Sequence, residues 1–128
     1  MTLEQCKFLY KNGINIKSEN SILESNNPEL NGKVIYPNEK TLGQIFKGYD
    51  FDAERNSCFY FNPTAEEALA WVAGKLNQII NVRILIKHVM IGCHVKDGMY
   101  FEFIAECSLS DAVYALIIWA HENKLLEA

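Results

Sequence analysis

The stretch "VRILIKHVMIGCHVKDGMYFEFIAE", residues 82–106, decides the fold. Asp97 and Gly98 separate two apolar segments, and this dipeptide is typical of the type I′ turn that joins antiparallel strands. We predict one strand over 81–92, with side chains alternating between two faces, and a partner strand after the turn. The sequence therefore predicts an α+β fold with a small, mostly antiparallel sheet around a C-terminal hairpin.

A two-residue turn would also set the register of this hairpin. The predicted pairs are Lys96 with Met99, His94 with Phe101, Gly92 with Phe103, and Met90 with Ala105. Because alternation places neighbouring residues on opposite faces, Cys93 points away from His94. Continued to the open end of the hairpin, the register brings His88 opposite Cys107.

Three to four helices are predicted to pack against the sheet. Thr2 with Gln5 and Thr64 with Glu67 have the spacing of capping boxes, which start helices. The predicted helices cover about 3–12, a short segment 38–48, a segment after Thr64, and a final segment after Ser108. Shorter strands are predicted at "KVIY" (33–36) and "CFYF" (58–61).

The chain length of 128 residues suits a single domain over 1–128. Residues 18–32 are rich in Ser, Asn and Glu and contain Pro28 and Gly32. Such a composition indicates a loop, and we predict that it is mobile.

Charge and hydropathy exclude several function classes. A net charge of −4 argues against nucleic-acid binding, which favours a basic face. The longest apolar run, "AVYALIIWA", has nine residues, whereas a membrane span needs roughly 20. The four cysteines are widely spaced, which favours free thiols in a reducing compartment over disulfides, although their even number leaves disulfides open. We predict a cytoplasmic protein.

Two groups of residues resemble metal ligands. His88 and His94 are six positions apart, about 20 Å along an extended strand, which is too far for one zinc ion. Asp50, Asp52 and Glu54 alternate, but the calcium-loop pattern would need Gly at position 55 and Glu at position 61, where Arg and Phe stand. We therefore predict no metal and no cofactor.

Candidates for a function lie at two places. His88 beside Cys107 could pair a base with a thiol, as in nucleophilic catalysis. The final helix is apolar around its whole circumference over 112–120, so it is either buried within the chain or shared with a second copy. The predicted interface residues are Tyr114, Ile117, Ile118 and Trp119.

These observations favour a non-enzymatic protein-interaction or regulatory module that binds a second copy or another protein. The alternative is a small enzyme or ligand-binding domain with a site near His88 and Cys107.

Residues 62–124 carry a resemblance in "NPTAEEALAWVAGKLNQIINVRI", "MYFEFIAE" and "SLSDAVYALIIWAHENKL". They resemble short uncharacterised proteins of bacterial prophages and other mobile elements, and this resemblance implies no activity. "CFYF", "PTAEEALAWV" and "VRILIKHV" are also similar to a piece of an ADP-ribosyltransferase-like fold, but its motif residues have no counterparts in this chain.

Overall fold

The computed structural model of the chain describes residues 1–36, 48, 56–95 and 98–127. Contacts between Cα atoms divide the chain into two compact units, Met1–Thr64 and Ala65–Ala128. The described residues form three α-helices and two three-stranded antiparallel sheets, so the predicted α+β class is confirmed. The boundary of one domain over 1–128 stays a prediction.

The first unit combines one helix with a sheet of strand order β2-β1-β3. Its elements are α1 (Leu3–Lys11), β1 (Ser21–Ser25), β2 (Val34–Ile35) and β3 (Ser57–Phe61).

Helix α1 begins as its sequence predicts. The amide of Gln5 donates to Thr2 Oγ1 at 3.2 Å, and the amide of Thr2 donates to Gln5 Oε1 at 3.0 Å. These two bonds form the capping box, which satisfies amides that have no partner within the helix. The helix contacts β1 and β3, and its buried side chains are Cys6 and Leu9.

The second unit places two helices with a sheet of order β4-β5-β6. Its elements are α2 (Ala65–Leu76), β4 (Ile80–Ile84), β5 (Val89–His94), β6 (Tyr100–Ala105) and α3 (Leu109–Glu122). Helix α3 packs on β5, β6 and α2. The buried residues of α3 are Ala112, Val113, Leu116, Ile117 and Ala120.

The predicted loop over 18–32 is wrong at its centre, because residues 21–25 form β1, the middle strand of the first sheet. Ile22, Leu23 and Leu30 are buried although their neighbours in sequence are polar. The polar residues form the turn that follows, where the amide of Gly32 donates to the carbonyl of Leu23 at 2.7 Å. Three apolar side chains therefore outweighed a composition typical of loops.

The single strand predicted over 81–92 is also wrong. The amide of Leu85 donates to the carbonyl of His88 at 2.8 Å, and this turn divides the segment into β4 and β5. The turn contains none of the Gly, Pro, Asn or Asp residues that normally mark one. Strand β4 thereby becomes the third strand of the sheet formed with β5 and β6. A third strand adds stability, because an isolated two-stranded hairpin is at best marginally stable in water.

The predicted hairpin register is wrong by one residue. The amide of Val95 donates to the carbonyl of Met99 at 2.9 Å, so the connection is one residue longer than the two-residue turn. Gly98 has φ of +76°, the left-handed conformation in which a three-residue loop commonly ends. The observed pairs include His94 with Tyr100, Cys93 with Phe101, and Gly92 with Glu102.

Three sequence-based predictions fall outside the described residues. They are the short helix over 38–48 apart from Gly48, the acidic group Asp50, Asp52 and Glu54, and the turn positions 96 and 97.

The burial of Ile117 predicts a large effect on folding. Ile117→Ala removes a fully buried side chain of α3, and we expect the free energy of unfolding to fall by about 2–5 kcal/mol. Ile104→Ala alters an exposed side chain of β6 and is expected to cost about 1 kcal/mol or less. Urea denaturation measures both, and equal losses would contradict this assignment of the core.

Candidate functional site

The observed register gives the second sheet one apolar face and one mixed face. Pairing across the three strands places Ile80, Cys93 and Phe101 in one row, and parallel rows add Val82, Ile91, Phe103, Ile84, Val89 and Ala105 to the same face. Phe101 lies against Trp119 of α3, with ring centroids 5.1 Å apart. The opposite face carries Asn81, Arg83, Met90, Gly92, His94, Tyr100, Glu102 and Ile104.

Tyr100 covers the backbone of the mixed face. A Cβ placed on Gly92 would lie 2.8 Å from the Tyr100 hydroxyl, which is too close. The tyrosine side chain can therefore lie over this position only because glycine has no side chain. The hydroxyl donates to Glu102 at 2.9 Å, and the ring contacts that of His94 with centroids 4.6 Å apart. The hydrogen bond to Glu102 and burial raise the pKa of the Tyr100 phenol.

The structure does not pair His88 with Cys107. The β5–β6 ladder ends at Val89 and Ala105, and its register differs from the one that suggested the pairing. His88 is an exposed residue of the β4–β5 turn, whereas Cys107 follows β6 and precedes Ser108, the N-cap of α3. The geometric basis for a His88 and Cys107 site is therefore lost.

The four interface residues predicted on α3 have different environments. Ile117 is fully buried within the chain and presents no surface to a partner. Trp119 packs against Phe101, and it is half-buried, as are Tyr114 and Ile118.

Among the described residues of the second unit, three consecutive exposed aliphatic residues lie instead at the β4–β5 turn. They form what we call the apolar hairpin surface: Ile84, Leu85 and Ile86, whose exposed fractions are 69%, 60% and 101%. Ile79 is also exposed, at 83%, but it precedes β4 and lies at the opposite end of that strand. Single exposed aliphatic residues are ordinary, but a contiguous group is typical of contact surfaces. Sequence reasoning missed it because these residues were assigned to the interior of one long strand.

The apolar hairpin surface adjoins an edge strand. In the part of the chain that the structure describes, β4 pairs only with β5. The hydrogen-bonded pair of Leu85 and His88 fixes the alternation of backbone groups along β4. The amides and carbonyls of Ile80, Val82 and Ile84 consequently point away from β5, toward the open edge.

The first unit holds a polar network between α1 and its sheet. Lys7 forms a salt bridge with Glu24, and the Tyr60 hydroxyl donates to Glu24 Oε1 at 3.0 Å. The Cys58 thiol lies 3.5 Å from the same oxygen and 3.7 Å from the Tyr60 hydroxyl. Activated cysteines typically lie beside cationic groups, whereas Cys58 donates to a carboxylate.

This network shifts the pKa values of its members. Hydrogen bonds from Lys7 and Tyr60 lower the pKa of the Glu24 carboxyl. The hydrogen bond to Glu24 raises the pKa of Lys7, and contact with the Cys58 thiol together with burial raises that of Tyr60. These directions describe a paired structural network that attaches α1 to β1 and β3.

A cleft of about 360 Å³ lies beside this network, a volume in the range of small-molecule sites. Its lining is largely aromatic and aliphatic, from α1, the segment after α1, and β3. The lining residues include Leu9, Tyr10, Ile14, Ile16, Phe59, Tyr60 and Phe61. Such a surface suits an apolar ligand chemically.

All four cysteines are free thiols. Cys6 and Cys93 are buried, and burial raises the pKa of each thiol. Cys58 is exposed and Cys107 is partly buried. Within the described ranges, no three His, Cys, Asp or Glu side chains lie close enough together to hold a metal ion.

Comparison with protein-family models, with curated proteins and with solved structures finds no match to this chain. Among the described residues, no helix is long and apolar enough to cross a bilayer.

The Lys7–Glu24 pair predicts a dependence of stability on acid. Because folding lowers the pKa of Glu24, its contribution is present above the ordinary glutamate value of about 4.3 and is lost as the pH falls through the lower folded value. We expect Glu24→Gln to be less stable than the unaltered chain at pH 7 and closer to it near pH 2. Urea midpoints at both pH values measure this, and a constant difference would contradict the role of the charge.

The exposure of the thiols predicts their order of labelling. We expect a disulfide reagent to modify Cys58 rapidly in the native chain, and Cys6 and Cys93 only after unfolding. Peptide mass mapping after timed quenching identifies the labelled positions. Cys58→Ser should remove the fast phase, and fast labelling of Cys93 in that variant would contradict the burial of β5.

Proposed function

We propose that this chain is a non-enzymatic, cytoplasmic protein-interaction or regulatory module that acts by self-association through the apolar hairpin surface. The observation that carries the proposal is the exposure of Ile84, Leu85 and Ile86, three consecutive aliphatic residues at one turn. Function resides in contact between chains, and the partner is a second copy.

The energetics of burial support this proposal. Full burial of a Leu or Ile side chain contributes about 1.5–3 kcal/mol, so the three residues on each copy supply roughly 9–18 kcal/mol at most. Association costs an estimated 4–15 kcal/mol in lost freedom of motion. Even half of the maximal burial is of the same size as this cost, which is consistent with a reversible dimer.

The placement of the apolar residues also supports contact at the turn in preference to α3. Five apolar residues of α3 are buried within the chain, so more than half of the apolar segment 112–120 already packs inside it. The hairpin residues contribute little to that core, because their exposed fractions are all at least 60%.

Free thiols support the cytoplasmic assignment, because reducing compartments keep cysteines in this state. The resemblance of residues 62–124 to prophage and mobile-element proteins stays a prediction and names no activity.

The double variant Leu85→Asp, Ile86→Asp tests the proposal. We expect its dissociation constant to exceed that of the unaltered chain by at least about tenfold, because each side chain lost from an interface removes 1.5 kcal/mol or more. Sedimentation velocity over a range of concentrations measures the dimer fraction. Ile104→Asp is the matched control, since it adds a charge at an exposed aliphatic position of another strand.

Two results would overturn the proposal. The first is an unaltered chain that stays monomeric at every concentration tested. The second is a dimer that weakens equally in the double variant and in Ile104→Asp, because that result would reflect added charge alone.

A further inference from the structure

We infer that two copies of the chain join through antiparallel pairing of their β4 strands, with Val82 opposite Val82 of the second copy, to make one six-stranded sheet. This inference rests on the proposed self-association and specifies its geometry.

The backbone of β4 has the groups that such a pairing needs. Ile80, Val82 and Ile84 direct their amides and carbonyls to the open edge, as the alternation from the Leu85–His88 pair requires. Centring the pair on Val82 brings Ile80 opposite Ile84 of the second copy, so all three residues become hydrogen-bonded. The two-fold axis then passes through the middle of the five-residue strand.

The side chains of β4 also match in this register. Ile79 comes opposite Leu85 of the second copy, so the apolar start of each β4 covers part of the apolar hairpin surface of the other copy. Arg83 comes opposite Asn81 of the second copy, and both side chains are exposed on the mixed face. No two like charges face each other directly.

Neighbouring registers are less favourable. A shift centred on Arg83 places two arginines directly opposite each other, and like charges in this position destabilise a sheet. A shift centred on Asn81 keeps the charges apart but moves Ile84 beyond the paired strand, because its partner would be residue 78. The Val82 register alone pairs the whole of β4.

The other edge of the sheet is protected against the same contact. In β6, Tyr100, Glu102 and Ile104 direct their backbone groups outward, as the Val95–Met99 pair requires. Symmetric pairing of β6 centred on Glu102, the middle one of its outward residues, would place the two glutamates directly opposite each other. Centring on Ile104 would place Glu102 opposite Glu106. Charged side chains on edge strands protect a sheet against such pairing. Strand β4 has only one charged residue, Arg83, and in the Val82 register it does not lie opposite Arg83 of the second copy.

Proline substitution tests the edge pairing in the full-length chain. Val82→Pro removes an outward amide while leaving the bonds of Asn81 and Arg83 to β5, so we expect the dimer to be lost at concentrations where the unaltered chain associates. Ile104→Pro removes an outward amide of β6 and should leave the dimer intact. Circular dichroism and unfolding transitions verify that each variant is folded.

A charge substitution tests the register without altering the backbone. Asn81→Asp places a carboxylate opposite Arg83 of the second copy, twice in each dimer, and should lower the dissociation constant by about twofold to thirtyfold. The gain should disappear at high salt. In the register centred on Asn81, the same substitution opposes two carboxylates and weakens the dimer.

The outcomes separate the two proposals. A dimer that persists in Val82→Pro but is lost in the Leu85→Asp, Ile86→Asp variant overturns edge pairing and leaves self-association standing. Weaker association of Asn81→Asp overturns the Val82 register. If the unaltered chain is monomeric throughout, both proposals are overturned.

Discussion

The hydrogen bond from the Val95 amide to the Met99 carbonyl sets the register between β5 and β6, and the covering of the second sheet depends on it. Side chains alternate along a strand, so a shift by one residue would exchange the two faces. In the observed register, Phe101 reaches Trp119 and Cys93 lies in the core. Glu102 consequently remains on the exposed face. There it accepts a hydrogen bond from the Tyr100 hydroxyl, which lies above Gly92.

The β4–β5 turn leaves apolar side chains exposed at one end of the same sheet. Helix α3 packs on β5 and β6, and its buried residues complete the core of the second unit. Ile84 shares the face of Val89 and Ala105 but lies at the end of the edge strand, where it is 69% exposed. The β4–β5 turn therefore concentrates aliphatic side chains beside outward backbone groups, and both features favour the same kind of partner, another strand with the same properties.

The two units differ in the kind of side chain that their sheets present for contact. The first unit places charged and hydroxyl groups between α1 and its sheet, where Glu24 accepts from Lys7 and Tyr60. Such bonds require their partners in one geometry, so they specify how α1 lies on β1 and β3. The second unit has aliphatic side chains at its open edge. The stabilisation gained by burying such side chains has no preferred direction and grows with the apolar area that is buried. The contact surface that we propose therefore lies in the second unit.

By itself, the sequence determined the features that depend on local chemistry. Helix α1 began at Thr2 and ended near Asn12 because the capping box and apolar spacing act within a few residues, and β3 followed from its aromatic content. The tertiary structure decided the features that depend on distant partners. It divided one predicted strand at Leu85–His88, placed β1 within a segment of loop-like composition, and moved the hairpin register by one residue. Because alternation converts that one residue into an exchange of faces, the predicted pair of His88 with Cys107 was lost. The division of the strand at Leu85–His88 is what leads us to propose a contact surface at the β4–β5 turn and not on α3.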